Sequence, residues 1–178
     1  MLKLKTTSEH LPPIISKITF ADIFCGIGGF RYGIQLFSDQ HVNYIFKCIL
    51  SVDVKSIAIK NYNHNFKETI SPIDICQVSN IPDFDLLCAG FPCQPFSTAG
   101  KKEGFFDSLG RGTLIFEILR ICQESHPNYL LLENVGGLQQ MNNCLSAIIK
   151  MFNDIGYNIE THIINALDTG LSQDRSRL

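Results

Sequence analysis

The sequence predicts an α/β fold built on a doubly wound, mostly parallel sheet. Three observations carry that prediction. Short runs of β-branched, aromatic and other apolar residues alternate with longer segments whose apolar residues recur at helical spacing. A glycine-rich turn, Gly26-Ile27-Gly28-Gly29, directly follows the first apolar run. Acidic residues close successive runs at Asp53, Asp74 and Glu133, and strand ends of this kind are where open α/β sheets bind ligands.

The elements follow in order. Ile18 to Phe24 is a short apolar strand, and Phe30, Ile34 and Phe37 then recur at helical spacing. Tyr44 to Val52 reads as a second strand ending at Asp53, and residues 54–66 as a helix. A short strand is expected to lead to Asp74-Ile75. Phe84 to Ala89 is a buried strand, followed by a long polar loop from Gly90 to Gly112. A loop of that length inside one domain points to function. Leu114, Ile115, Ile118, Leu119 and Cys122 mark an amphipathic helix. Tyr129 to Leu132 is a strand running into Glu133-Asn134-Val135. Leu145, Ile148, Ile149, Phe152 and Ile155 mark a helix stopped by Gly156. A last strand is expected from Tyr157 to about Ala166. The βαβα rhythm gives the parallel sheet. Residues 1–16 read as a lead-in, with neither the apolar core nor the cleavage site of a signal peptide, and residues 17–178 as one domain.

Composition narrows the class. With 45% apolar and 18% charged residues the chain is globular. No apolar run reaches the length of a membrane span. Seven cysteines without a CxxC pair or His/Cys metal spacing read as reduced thiols and exclude a zinc-ribbon site, so the expected setting is the cytoplasm. The net charge of −2 excludes nucleic-acid binding through bulk charge. Any such contact must use local groups: Lys101, Lys102 and Arg111 in the long loop, Arg175 and Arg177 near the end.

Four motifs carry chemistry. The glycine turn lets backbone approach a ligand where a Cβ would clash. Its spacing is not the GxGxxG of a pyrophosphate cradle, and Asp53 lies where ribose hydroxyls are bound. An adenosine-bearing ligand without a pyrophosphate fits; tight strand–helix packing is the plain alternative. The second motif is Gly90-Phe91-Pro92-Cys93-Gln94-Pro95-Phe96-Ser97. Two prolines stiffen the backbone and present Cys93 at a strand end as a candidate nucleophile. The other six cysteines read as inert core. The third is Glu133-Asn134-Val135, where a carboxyl after an apolar run must be paired or shifted; helix capping is the alternative. The fourth is Gln173-Asp174-Arg175-Ser176-Arg177, which on local evidence alone reads as solvated charge.

In order along the chain, DIFCGIGGF, GFPCQPFS, LLLENV and QDRSR resemble the cytosine-C5 DNA methyltransferase family of bacterial type, over about residues 17–178. The resemblance implies a Rossmann-like S-adenosylmethionine-dependent methyltransferase fold and double-stranded DNA as partner. It implies a flipped-out cytosine as substrate and no metal. Cys93 would attack C6, Glu133 would hold the N3/N4 edge, Arg177 would contact the base carbonyl, and Arg175 would support the phosphates or the acid. Phe24, Gly26, Ile27, Gly28, Gly29, Asp53, Val54, Asp74, Ile75, Pro92 and Leu114 fall at cofactor positions, with Asp53 on the ribose and Asp74 on the adenine amine. Gln94, Ser97 and Asn134 fall at substrate positions. The loop after Cys93 would close over DNA.

Two local departures stand out. Val54 replaces a larger side chain common in relatives, and the run Asp107 to Thr113 is about two residues longer than usual. The chain also ends where the family continues into a target-recognition domain and a returning segment. It therefore reads as the N-terminal catalytic part, incomplete at the C-terminus, needing a complementing C-terminal polypeptide for activity. The rival readings are a tRNA cytosine-C5 methyltransferase, a non-catalytic remnant or regulatory subunit, and a nicotinamide oxidoreductase, which the glycine spacing disfavours.

Overall fold

The computed structural model describes residues 16–92, 114–140 and 144–178. The apolar runs pair side by side. β1 (Ser16–Ile23), β2 (Tyr44–Val52), β3 (Leu86–Gly90) and β4 (Tyr129–Glu133) form a parallel sheet in the order β2-β1-β3-β4. Four helices connect or follow them: α1 (Gly29–Gln40), α2 (Ser56–Phe66), α3 (Leu114–Ser125) and α4 (Cys144–Asp154). The strand order reverses between β1 and β3, which pair through Ile23 and Ala89. At that switch point the carboxyl ends of two strands diverge and leave a crevice.

Alternation along each strand divides the side chains between two faces. Ala21, Ile23, Val52, Leu87 and Ala89 face the main core with Ile115, Ile118, Leu119 and Cys122 of α3 and Ile148 and Phe152 of α4. Each fully buried large side chain there contributes roughly 1.5–3 kcal/mol. A smaller cluster joins Cys25, Ile59 and Tyr62, with Phe66 and Ile70 against it. A register shift between Phe20 and Ala21 leaves Ile49 as the extra residue of β2, so the two faces stay matched along the pair.

The opposite face carries a buried carboxyl group near Arg31 and Tyr62. Asp22 is wholly buried, and neither carboxyl oxygen has a hydrogen-bond partner among the described residues. Burial pushes its pKa up to about 7, and the Arg31 guanidinium only partly opposes that shift. The unfolded chain releases this proton near pH 4, while the folded chain keeps it to about pH 7. The folded state therefore binds the extra proton across that window, so stability from this site is present below it and falls as pH rises through it. The Asp22→Asn chain should lose less melting temperature than the unsubstituted chain between pH 5 and 8. The difference corresponds to a few kcal/mol at most, since ten-fold tighter proton binding is worth about 1.4 kcal/mol. Parallel melting curves across that range would reject the assignment.

One expected strand does not form and another forms only in part. No strand precedes Asp74; residues 67–74 run without a ladder into a 3-10 turn at Ile75–Gln77. Of Tyr157 to Ala166, only Ile164–Asn165 is a strand, β5, which pairs antiparallel with β6 (Ser176–Arg177). A strand exists only through its partner's hydrogen bonds, and residues 157–163 have no ladder partner among the described residues. Along Tyr129–Glu133, β4 pairs only with β3 among the described residues, and Tyr129 and Leu131 remain exposed.

Candidate active site

Parallel strands bring their carboxyl ends to one edge, where β1 runs into Phe24 to Gly29, β2 into Asp53 and Val54, β3 into Phe91 and Pro92, and β4 ends at Glu133. After β1 the chain turns through Phe24 (φ 57), Gly26 (φ 55) and Gly28 (φ 94), three left-handed residues within five positions. A Cβ at Gly28 would stand 2.1 Å from the Phe66 ring, so only glycine lets α1 start against α2. On the other side the turn is open: a Cβ at Gly29 would meet nothing within 4 Å, and one at Gly26 only the Phe24 carbonyl oxygen at 4.0 Å.

Asp53 ties this turn to the end of β2. Gly26 N–H donates to its Oδ2 at 2.9 Å and Lys55 N–H to its Oδ1 at 2.8 Å. Each oxygen keeps a second acceptor position. The Asp53 carbonyl accepts from Ile73 N–H at 3.0 Å, which brings the Asp74 turn alongside. Within that turn Asp74 Oδ1 accepts from Cys76 N–H at 2.9 Å. Asp74 is exposed, whereas Ile75 is buried in the main core. Phe24 and Leu114 pack against the same core, and Ile27 and Val54 present exposed apolar side chains.

The second half of the site forms where β3 and β4 end. Gly90 lies opposite Glu133 in the ladder. A Cβ at Gly90 would be 3.2 Å from Glu133 Oε2, so the missing side chain makes room for the carboxylate. Arg177 Nε donates to Glu133 Oε1 at 2.6 Å, with both side chains partly exposed. Two backbone hydrogen bonds between Asn134 and Leu178, at 2.8 and 3.0 Å, hold Arg177 there. Its position opposite Val135 completes the pairing. Asn134 is buried; its Nδ2 donates to the Phe91 carbonyl oxygen at 3.1 Å and its Oδ1 accepts from Val135 N–H at 2.8 Å. The Phe91-Pro92 peptide is thus fixed from β4. Pro92 is exposed. Arg175 is also exposed, its backbone bonded to Asn165 and Ala166.

Cys93, Gln94, Ser97, Lys101, Lys102 and Arg111 lie outside the described residues, as do residues 1–15 of the lead-in. Among the described cysteines, burial pushes Cys88 and Cys122 up to about 12 and Cys25 well above the usual thiol range. Thiols in that condition are poor nucleophiles. A cavity of about 440 Å³ lies elsewhere, between α1 and β2, lined by Arg31, Phe46, Lys47 and Glu68 among others; no predicted site residue lines it.

Three features of the site leave little trace in the sequence. Gly90 matters through what its side chain would strike, and Phe91 through its carbonyl oxygen. Arg120 of α3 donates from Nη2 to the Ile75 and Val78 carbonyl oxygens. Its only signal is a cation inside an otherwise apolar stripe.

A family model for the C-5 cytosine-specific DNA methylases matches residues 18–178. The type II methyltransferase M.BanI of Aneurinibacillus aneurinilyticus is 40% identical over 164 residues, covering 91% of this chain and 37% of the relative. M.HhaI of Haemophilus parahaemolyticus is 38% identical over 168 residues, covering 92% and 48%. M.HpaII of Haemophilus parainfluenzae is 40% identical over 177 residues, covering 96% and 47%. The chain therefore spans less than half the length of these relatives. The crystal structure of the S. pombe Dnmt2 methyltransferase superposes with a TM-score of 0.71 at 23% identity, over 90% of this chain and 49% of that one, which is a likeness of fold.

Proposed function

The chain belongs to the C-5 cytosine-specific DNA methylase family, and from that premise we propose that it is the catalytic and cofactor-binding part of an enzyme methylating C5 of cytosine in double-stranded DNA. The single observation that carries this reading is the Glu133–Arg177 pair, 2.6 Å apart. It sits at the end of β4, beside the Phe91-Pro92 peptide that leads into Cys93.

The residues around the glycine turn suit S-adenosylmethionine. Both Asp53 oxygens have acceptor capacity left for a ribose diol, and Asp74 has one for an exocyclic amine. Val54 and Leu114 offer apolar contacts, Ile75 backs the site from the core, and no cation among the turn residues calls for a phosphate. Bound there, the cofactor supplies an electrophilic methyl group.

The chain's own residues do the rest. The base leaves the helix because C5 and C6 are inaccessible in the stack. The Cys93 thiolate adds to C6, and the electron pair moves toward C5 and the ring. Glu133 holds the N3/N4 edge, where a proton at N3 receives that density. Arg177 orients Glu133 and reaches the base carbonyl, and Arg175 meets phosphate. C5 takes the methyl group. The C5 proton then leaves to a base, the C5–C6 double bond re-forms, and the thiolate is expelled. Gln94 and Ser97 contact the substrate, and Asn134 acts by fixing the Phe91 carbonyl. Lys101 and Lys102, which follow Cys93 in the sequence, meet DNA phosphates.

Activity would need a complementing segment, on this or a second polypeptide. The unpaired outer edge of β4 among the described residues, with Tyr129 and Leu131 exposed, supports that need. The cytoplasm is the proposed setting; among the described residues no helix is long and apolar enough to cross a membrane. The test is methylation of duplex DNA with labelled S-adenosylmethionine. A C-terminal half from a relative, added in trans, should raise incorporation from background to turnover. Robust methylation by the 178-residue chain alone would show that no complementing segment is needed.

A further inference from the structure

We infer that Arg120 is a positioning residue for the adenine end of the cofactor site; the inference rests on the proposal that Asp74 holds the adenine amine. The turn that carries Asp74 is not part of the sheet, since no strand leads into it. Its internal hydrogen bonds are Cys76 N–H to Asp74 Oδ1 at 2.9 Å, Gln77 N–H to the Asp74 carbonyl oxygen at 2.9 Å and Val78 N–H to that of Ile75 at 3.1 Å. The Cys76 N–H orients the carboxylate within the turn, and an outside brace is needed to hold the turn itself in place against the rest of the site.

Arg120 supplies that brace. Its Nη2 donates to the carbonyl oxygens of Ile75 at 3.2 Å and Val78 at 3.1 Å, the two ends of the turn. Within α3, Nε donates to Glu117 Oε2 at 2.8 Å, Nη2 also lies 2.8 Å from that oxygen, and Nη1 donates to Glu124 at 3.0 Å. The two carboxylates orient the guanidinium plane, and the plane aims one nitrogen at two carbonyls. A lysine ammonium would keep the charge but not the fixed fork. The same helix begins at Leu114, another residue assigned to the cofactor. Arg120 therefore fixes the spacing between two walls of one site while touching no ligand itself.

The test reads selectivity rather than affinity alone. S-Adenosylhomocysteine and S-inosylhomocysteine differ in the group that would face Asp74, an amine in one and a carbonyl in the other, and at the adjacent N1, which carries a proton only in the inosyl ligand. The unsubstituted chain should prefer the adenosyl ligand by about tenfold or more, the scale of a hydrogen bond to a charged group. In Arg120→Lys that preference should fall to within about twofold, with binding of the inosyl ligand nearly unchanged. Arg120→Gln, measured in parallel, gives the same ratio should the lysine variant fold poorly. Equal weakening of both ligands with the preference intact would mean a merely structural role and would overturn the inference. A folded, unsubstituted chain with no preference would overturn the Asp74 reading beneath it.

Discussion

Replacing Cys93 with alanine should abolish methyl transfer by the complemented enzyme, a loss of at least about 10⁴-fold in rate, as for removal of a nucleophile elsewhere. The physical reason lies in the ring. C5 of cytosine is a poor nucleophile until a thiolate has added to C6, and the core cysteines cannot substitute. Cys25, Cys88 and Cys122 are buried and held protonated well above neutral pH. Cys93→Ser should fare no better, because a hydroxyl is far less ionised than a thiol at pH 7. Cofactor binding should be unchanged in both, since Phe24, Asp53 and Asp74 are untouched. Residual turnover within tenfold of the unsubstituted enzyme, read from labelled methyl incorporated per hour, would rule Cys93 out as nucleophile.

Glu133→Gln should cost about 10² to 10³-fold in turnover, the usual scale for a positioned acid or base. The substitution keeps the shape that Gly90 accommodates and loses the charge that Arg177 meets at 2.6 Å. A neutral amide cannot favour a proton at N3, so thiolate addition loses its electron sink. Arg177→Ala should bring a similar loss by releasing the carboxylate. Pre-steady-state methyl transfer with saturating cofactor separates this from weaker binding. A Glu133→Gln enzyme that keeps about a third of the rate, far above the expected range for a lost acid or base, would leave Glu133 a structural acid.

Much of this architecture is legible in the residues. The four long strands follow from short apolar runs and the helices from apolar residues at helical spacing, because those elements bury surface against the core and must carry the pattern. The site is legible for a different reason. Gly26, Gly28, Pro92 and Glu133 are residue types that strand ends tolerate only when backbone shape or charge is required. One expected strand, before Asp74, is absent from the structure, and another, Tyr157 to Ala166, is reduced to Ile164–Asn165. Residues before Asp74 and residues 157–163 have suitable composition, but strand formation depends on a partner's ladder, which local sequence does not encode. Arg120 and Gly90 escape local reasoning because their roles are relational: one braces a distant turn, the other leaves room for a carboxylate 43 positions on.

The most direct test of the central claim is a covalent one. Duplex DNA carrying 5-fluorocytosine blocks the last step, since the fluorine at C5 cannot leave as a proton does. The complemented enzyme, given S-adenosylmethionine and this duplex, should form an adduct that survives denaturation and carries one methyl group. Peptide mapping should place the attachment at Cys93. No adduct from folded protein that binds both cofactor and DNA, or an adduct that persists in Cys93→Ala, would contradict the assignment.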